Sequence, residues 1–173
     1  MINYHYCFGG AQQKSAPDPL DGDSLLIEHS IDHIFSDPLD EDVFLIKISG
    51  KSLIEGEVLF TITDKSGDMI YSTRFPSENL LGYAFSYEEG TISEMESYIK
   101  QEVLNFFSED KFLYPAIKED DSLDQDYSNK QVWEDIKSDN HAIGFCYWVS
   151  GGYHRKIAFS KKKKRTVVYF ECC

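Results

Sequence analysis

The chain has 173 residues, of which 42% are hydrophobic and 14% aromatic, so its composition is typical of a folded domain and excludes a disordered chain. The formal net charge of −13 argues against nucleic acid as a partner, because nucleic-acid-binding domains present positive surfaces to phosphates. No run of about 18 apolar residues is present, so no transmembrane segment is expected, and no apolar signal segment follows Met1.

Residues 1–23 are predicted to form a flexible N-terminal tether ahead of one β-rich globular domain over residues 24–173. The tether is rich in Gly, Pro, Asp and Gln and has no apolar periodicity. The domain opens with "LLIEHSIDHIF" (25–35), in which apolar or histidine side chains alternate with mostly polar ones. This period of two indicates a β-strand.

The following residues predict an antiparallel meander. Runs rich in β-branched and aromatic residues occupy 43–49, 57–63 and 68–75, with a weaker one at 80–87. "DKSG", with Asp64 at its start and Gly67 at its end, predicts a tight hairpin turn between the second and third of these runs.

Two helices are predicted in the centre of the chain. "TISEMESYIKQEVLNFF" (91–107) has apolar residues at helical spacing, and Thr91 with Glu94 forms a capping-box pattern at its start. Residues 109–127 are acidic and loop-like. "NKQVWEDIK" (129–137) is predicted to be a short helix capped by Ser128 or Asn129.

The last third predicts three strands, at 142–149, 153–160 and 165–172. Gly151-Gly152 suits a two-residue hairpin turn. Tight turns at both ends place Cys146 opposite Ile157 and Ile157 opposite Val168. They also place Trp148 opposite Arg155 and Arg155 opposite Phe170, with this face toward the core.

The opposite face of these strands should then carry Tyr147, Lys156 and Tyr169 in a row. An aromatic pair around a cation is either cation–π packing on an outer face or a platform that binds carbohydrate or protein. The lysine run Lys161, Lys162, Lys163 and Lys164 falls at the next turn. It is either a solubilising turn or a docking patch for an anionic lipid, a glycan or an acidic partner.

The predicted elements add up to a mainly β fold, with α+β as the alternative. Seven or eight antiparallel strands, one long helix and one short helix suggest a strongly curved or barrel-like sheet. Strands and helices do not alternate along the chain, which excludes a parallel doubly wound sheet.

Candidate metal-binding patterns are weak. His29, Asp32 and His33 resemble a metal-binding cluster, but on a strand the two histidines lie about 13 Å apart, too far to share one ion. The acidic segments 37–42 and 119–126 lack the order of a calcium-binding loop and are expected to be solvated.

No catalytic motif stands out. The chain has neither a nucleophile elbow nor a glycine-rich phosphate loop, so no cofactor is expected and enzymatic activity is the less favoured interpretation. Cys146 with His141 or His154 could form a nucleophile and base, but the predicted register points Cys146 into the core.

Cys146 is also expected to be reduced. It lies two strands, nearly 10 Å, from Cys172, which is beyond the reach of a disulfide.

Three segments of the chain carry a resemblance to a known family: "IDHIFSDP", "ITDKSGDMIY" and "SDNHAIGFCYWVSGGYHRKIAFSKKKKRTVVYF". The chain resembles, over residues 24–172, a family of small lipoproteins from Gram-negative anaerobic bacteria that is defined as a domain of unknown function. This resemblance implies a mainly β, barrel-like fold and a location in the cell envelope, and it assigns no catalytic residue.

Cys7 agrees with the resemblance, because a bacterial lipoprotein begins at a lipidated Cys that a flexible tether follows. "CFGGAQQKSAPDPLDGD" has that form, whereas "MINYHY" lacks the apolar segment that should precede the Cys. A lipid anchor at Cys7 therefore requires a start upstream of Met1, and without one the protein is expected in the cytoplasm.

The function expected from the sequence is that of a non-enzymatic lipoprotein module of the cell envelope that binds a ligand or partner. The alternative is a cytoplasmic acidic inhibitor or immunity-type protein, in keeping with the negative net charge. A third interpretation is a hydrolase whose site is assembled from scattered residues. Neither the identity of the partner nor the oligomeric state follows from the sequence.

Overall fold

The computed structural model describes residues 24–82, 90–150 and 152–172, which form a mainly β structure of two antiparallel four-stranded sheets. The strand orders are β1-β2-β3-β4 and β5-β6-β7-β8. The described strands and α-helices are β1 (Ser24–Asp37), β2 (Asp40–Gly50), β3 (Glu57–Thr63), β4 (Met69–Pro76), α1 (Ile92–Leu104), β5 (Phe112–Leu113), α2 (Lys130–Lys137), β6 (Gly144–Ser150), β7 (Tyr153–Ser160) and β8 (Arg165–Cys172). Neither sheet closes on itself, so the expected barrel-like curvature is not confirmed.

The first sheet follows directly from the period-two pattern of its sequence. Phe44, Ile46 and Ile48 alternate along β2 and are fully buried, while the residues between them are more exposed. The predicted turn between β3 and β4 is also confirmed. The Gly67 N–H donates to the carbonyl of Asp64 at 2.9 Å, and Gly67 adopts a φ of +85° that favours glycine.

One hydrophobic core joins the inner faces of both sheets and one face of α1. The ring of Phe145 on β6 lies 5.6 Å from Phe44 and 5.7 Å from Phe60 of the first sheet. From α1, Ile99 and Val103 are fully buried in the same core. Aromatic side chains of this size bury most of the apolar area that holds the sheets together.

The helix α2 covers part of the outer face of the second sheet. Trp133 and Ile136 of α2 pack in a smaller apolar cluster with Ala158 and Tyr169. The hydroxyl of Tyr169 donates to the carbonyl of Ala116 at 2.6 Å. The second sheet is therefore buried on both faces where α2 lies, and no helix among the described residues covers the rest of its outer face.

Two short segments differ from their predicted structure. Ser77–Leu81 forms a 3-10 turn, so the weak strand predicted at 80–87 is wrong for its first residues, and 83–89 lie outside the described residues. Phe112–Leu113 forms the short strand β5, which was not predicted because two residues are too few to show a periodic pattern.

The register of β6 and β7 differs from the predicted one because β6 contains a β-bulge. Ser150 pairs with Tyr153, as the tight turn requires, but the register shifts by one between Trp148 and Ser150. Cys146 consequently lies opposite Lys156, and Tyr147 lies opposite Arg155. A one-residue slip exchanges the two faces of a strand, so Tyr147 points into the core and Trp148 points out.

The pairing of β7 with β8 also differs from the predicted one, because a second bulge lies in β8. Ile157 pairs with Val168 as predicted, but Lys156 pairs with Phe170, and the shift falls at Tyr169. The expected row of Tyr147, Lys156 and Tyr169 is therefore wrong. Tyr147 and Tyr169 are each 1% exposed and belong to different clusters on the two sides of the sheet.

Candidate functional site

Beside α2, four ring side chains and one lysine gather at the outer face of the second sheet. We call this group the outer patch: Tyr127 and Trp148 are exposed, and His154, Lys156 and Phe170 are half-buried. His154 lies at the centre, with ring centroids 5.0 Å from Trp148 and 5.4 Å from Phe170. The amine of Lys156 lies 4.9 Å from the centre of the Phe170 ring. The pairs Trp148–His154 and Lys156–Phe170 are cross-strand neighbours, so the sheet register itself builds the patch.

Trp148 also forms one wall of a neighbouring cleft of about 190 Å³, which we call the Trp148 cleft. The cleft lies between the 3-10 turn Ser77–Leu81, α1 and the end of β6. Its lining includes Leu81, Tyr98, Glu102, Phe106, Lys111 and Trp148. Trp148 is 51% exposed and joins the cleft to the outer patch.

Opposite charges lie at the wall of the cleft. The Lys111 amine donates to the Asn105 carbonyl at 2.9 Å and lies 5.5 Å from the centre of the Phe106 ring. Burial lowers the pKa of Lys111, although the nearby Glu102 opposes this shift. Burial and a hydrogen bond with Glu102 raise the pKa of the Tyr98 hydroxyl. The cleft therefore offers a carboxylate, a hydroxyl and an amine beside aromatic rings.

Sequence reasoning did not identify this cleft. Trp148 was expected to face the core, and Tyr98, Glu102 and Lys111 were not singled out. These side chains come from three separate segments, and no local motif links them. They come together because α1 and β6 both pack against the 3-10 turn Ser77–Leu81.

Cys146 and His154 share the outer face of the second sheet, which corrects the expectation that Cys146 points into the core. Burial raises the pKa of the Cys146 thiol, although Lys156 and Lys111 oppose the shift. Burial, and then the charge of Lys156, lowers the pKa of His154. Both groups are thus uncharged near neutral pH, which does not suit an activated thiolate and its base.

Tyr147 belongs to a polar bridge between the two sheets. Its hydroxyl lies 2.5 Å from that of Tyr71 on β4, and burial raises the pKa of both tyrosines. Arg155 donates to Glu171 at 2.7 and 2.9 Å and to the Thr73 hydroxyl at 3.4 Å. These bonds satisfy polar groups that lie between the two packed sheets, so we assign Tyr147 and Arg155 a structural role.

The lysine run lies at the β7–β8 turn, as the sequence predicts. Lys161 forms an ion pair with Asp139 at 2.7 Å. Lys162, Lys163 and Lys164 are exposed. The structure therefore separates Lys156 of the outer patch from the lysines of the turn.

The histidines of β1 are half-buried and pack on phenylalanine rings. His29 stacks on Phe107 at 5.8 Å, and His33 stacks on Phe112 at 3.7 Å. Asp32 is exposed and points to the other face of the strand. Within the described ranges, no group of three or more His, Cys, Asp or Glu side chains is arranged to hold a metal ion.

The cysteines divide into two kinds. Cys146 is free, as predicted, while Cys172 is disulfide-bonded. Cys7, the predicted lipidation site, lies outside the described residues, as do the remainder of the tether and Cys173. No helix in the described part of the chain has the length and hydropathy to cross a membrane.

No protein-family model, no curated protein and no solved structure matches the chain. The resemblance to a lipoprotein family therefore stays a prediction, and the function has to be argued from the outer patch and the Trp148 cleft themselves.

Proposed function

We propose that the protein is a non-enzymatic module of the bacterial cell envelope that binds an oligosaccharide at Trp148. The observation that carries this proposal is the position of Trp148, which is half-exposed where the cleft meets the outer patch. Exposed aromatic groups that adjoin a concave site mark binding surfaces more often than isolated exposed residues do.

The chemistry of the site favours a sugar. The face of an indole ring packs against the apolar face of a sugar ring, and the carboxylate of Glu102 and the hydroxyl of Tyr98 suit its hydroxyl groups. A volume of about 190 Å³ is below the usual range of roughly 300–1,000 Å³ for sites of drug-sized ligands. We therefore place one sugar unit in the cleft and the neighbouring units across the outer patch.

A binding role suits the protonation states better than catalysis does. The Lys111 amine donates to the Asn105 carbonyl and keeps further N–H groups for a ligand, and Cys146 and His154 are uncharged near neutral pH. These groups can make contacts with a ligand without being poised as a nucleophile and base.

The disulfide at Cys172 supports a location in the envelope over one in the cytoplasm, because disulfides persist in oxidising compartments. We place the lipid anchor at Cys7. Residues 8–23 would then form a tether that spans at most about 56 Å when fully extended. An acylated Cys7 cannot take part in a disulfide, so a lipid anchor at Cys7 and a disulfide between Cys7 and Cys172 exclude each other.

The sugar site is tested by fluorescence. Trp133 is buried and Trp148 is exposed, so the Trp133→Phe variant reports on Trp148 alone. We expect titration with a panel of neutral oligosaccharides, including N-acetylglucosamine oligomers, to shift the emission of this variant for at least one sugar. The change should saturate with sugar concentration.

The matched control for this site is Leu104, which is 53% exposed on α1 and does not line the cleft. In calorimetric titration with the same sugar, Trp148→Ala should lower affinity at least tenfold, and Leu104→Ala should leave it unchanged. Equal affinities of the two variants for the sugar would contradict a binding site at Trp148. If no sugar in the panel gave a saturable response, the proposal that the ligand is an oligosaccharide would be contradicted.

The anchor is tested in cells. With its native upstream sequence, the protein should enter the membrane fraction, and Cys7→Ser should release it into the soluble fraction. Mass spectrometry of the mature protein should find acyl chains on Cys7 and no peptide joining Cys7 to Cys172. A disulfide between these two residues would contradict the anchor and leave the sugar site untouched.

A further inference from the structure

The β7–β8 turn concentrates positive charge on a chain that is otherwise strongly acidic. Five consecutive cations occupy 161–165, and the chain as a whole carries −13. None of the ion pairs found between described residues involves Lys162, Lys163 or Lys164. Their mutual repulsion is therefore not offset by an ion pair within the described part of the chain.

Hydrogen bonds hold the backbone of the turn that carries these lysines. The Ser160 hydroxyl accepts a hydrogen bond from the Lys163 N–H at 2.9 Å and donates to Asp135 of α2 at 2.5 Å. Lys164 has a φ of +52°, which a glycine would adopt without strain. A lysine at this position keeps the charge at the expense of backbone strain.

A shallow apolar groove of about 550 Å³ adjoins the lysine turn. Its lining includes Pro38, Tyr114, Pro115, Ala142, Ile143 and Lys161. Tyr114 is 53% exposed, and Leu39, next to Pro38, is 88% exposed. Lys161 lines the groove and belongs to the lysine turn, so the two features form one surface, which we call the basic end.

We propose that the basic end binds an acidic segment of a partner protein, with carboxylates at Lys162, Lys163 and Lys164 and an apolar side chain in the groove. Charge complementarity supplies the first half of this match, because a local positive field attracts acidic chains and steers their approach. The apolar groove supplies the second half, because burying a side chain there removes apolar surface from water.

A protein segment fits the basic end better than a membrane or a nucleic acid does. A membrane presents charged head groups to the lysines and no side chain to the groove, whereas an acidic segment that carries an apolar residue can occupy both. Nucleic acid would meet the repulsion of the net charge of −13 and would gain nothing from the apolar groove.

Two synthetic polypeptides test the proposal on the full-length protein. Fluorescence anisotropy would measure binding to labelled poly-L-glutamate and to a labelled copolymer of glutamate and tyrosine. We expect the copolymer to bind at least fivefold more tightly, because its tyrosines enter the groove. Both affinities should fall steeply as salt rises from 50 to 300 mM.

Charge reversal at the turn is compared with an equal reversal elsewhere. The triple variant Lys162→Glu, Lys163→Glu and Lys164→Glu should lower both affinities at least tenfold. The control variant reverses three exposed lysines outside the basic end and should change them less than threefold: Lys51→Glu, Lys100→Glu and Lys118→Glu. Equal losses in the two triple variants would overturn the proposal.

The groove has its own variants. Tyr114→Ala, in the lining, should weaken binding of the copolymer and leave binding of poly-L-glutamate unchanged. Leu39→Ser, at an exposed position beside the lining residue Pro38, tests the edge of the groove without affecting folding and should act in the same direction. Equal affinity of the wild type for the two polypeptides would overturn the role of the groove. Stronger binding to vesicles with 30% phosphatidylglycerol than to the copolymer would overturn a protein partner in favour of a membrane. None of these outcomes depends on sugar binding at Trp148.

Discussion

Asp42 shows how strongly the environment of one residue departs from its local sequence. The acidic segment 37–42 was expected to be solvated, yet Asp42 is 1% exposed. Its carboxylate accepts hydrogen bonds from the Ser36 N–H at 2.6 Å and the Ser36 hydroxyl at 2.8 Å. Burial raises the pKa of Asp42 above its ordinary value, and the bonds from Ser36 only partly offset this effect.

The raised pKa of Asp42 gives a prediction of pH dependence. Between its ordinary pKa of 3.8 and its higher pKa in the folded state, the native protein binds the proton of Asp42 more strongly than the unfolded chain does. The contribution of Asp42 to stability is therefore largest below pH 3.8 and is lost as pH rises through the folded-state pKa.

Urea unfolding of the wild type and Asp42→Asn across pH 3 to 7 measures this contribution. We expect the unfolding free energy of the wild type to fall relative to that of the variant as pH rises, because an amide cannot ionise but can still bond to Ser36. Glu41→Gln, at the exposed neighbouring position, is the control for general charge effects. A difference that grows in favour of the wild type with rising pH would refute the prediction.

The helix α1 depends on a complete capping box. The Thr91 hydroxyl accepts a hydrogen bond from the Glu94 N–H, and the Glu94 carboxylate accepts one from the Thr91 N–H at 2.9 Å. The bonds from the N–H and hydroxyl of Thr91 lower the pKa of Glu94. The cap orients the helix that supplies Tyr98 and Glu102 to the Trp148 cleft.

Removing the cap should destabilise the protein. Thr91→Ala leaves the Glu94 N–H without its acceptor, and we expect a loss of about 1 kcal/mol in the free energy of unfolding. Ser93→Ala, at an exposed position two residues further on, should cost much less because alanine favours a helix interior. Chemical denaturation of both variants checks this, and equal losses would mean that the cap contributes little.

At the scale of the whole molecule, two apolar clusters hold the described elements together, and their members run from Ile27 to Phe170. The larger cluster joins the two sheets and α1, and the smaller cluster joins the second sheet to α2. Because the sequence of the predicted tether has no apolar periodicity, we expect it to add little to either cluster or to the stability of the domain.

Deletion of residues 2–20 should therefore leave the thermal midpoint within about 2 °C of that of the full chain, because the deleted sequence lacks apolar periodicity. Scanning calorimetry of both proteins under oxidising conditions measures the midpoint. A drop of several degrees would show that the tether packs on the domain. A matching drop in Cys7→Ser alone would instead assign the loss to a disulfide at Cys7.

The sequence by itself determined the features that depend on neighbours along the chain. The alternation along β2, the turn from Asp64 to Gly67 and the cap at Thr91 were predicted where the structure has them, and Asn129 is one of the two caps predicted for α2. Each rests on contacts within a few residues, where side-chain spacing and backbone preference decide the outcome.

Only the tertiary structure decided which faces of the last strands are buried. Turn geometry alone places Tyr147 outside, but the bulge before Ser150 lets its ring pack 5.3 Å from Phe60 and its hydroxyl meet Tyr71. A similar shift buries Tyr169 beneath α2. A bulge admits one extra residue wherever packing across the sheet outweighs regular pairing, and that balance depends on partners from β3, β4 and α2. The exposure of Trp148, and with it the candidate site, follows from this long-range choice.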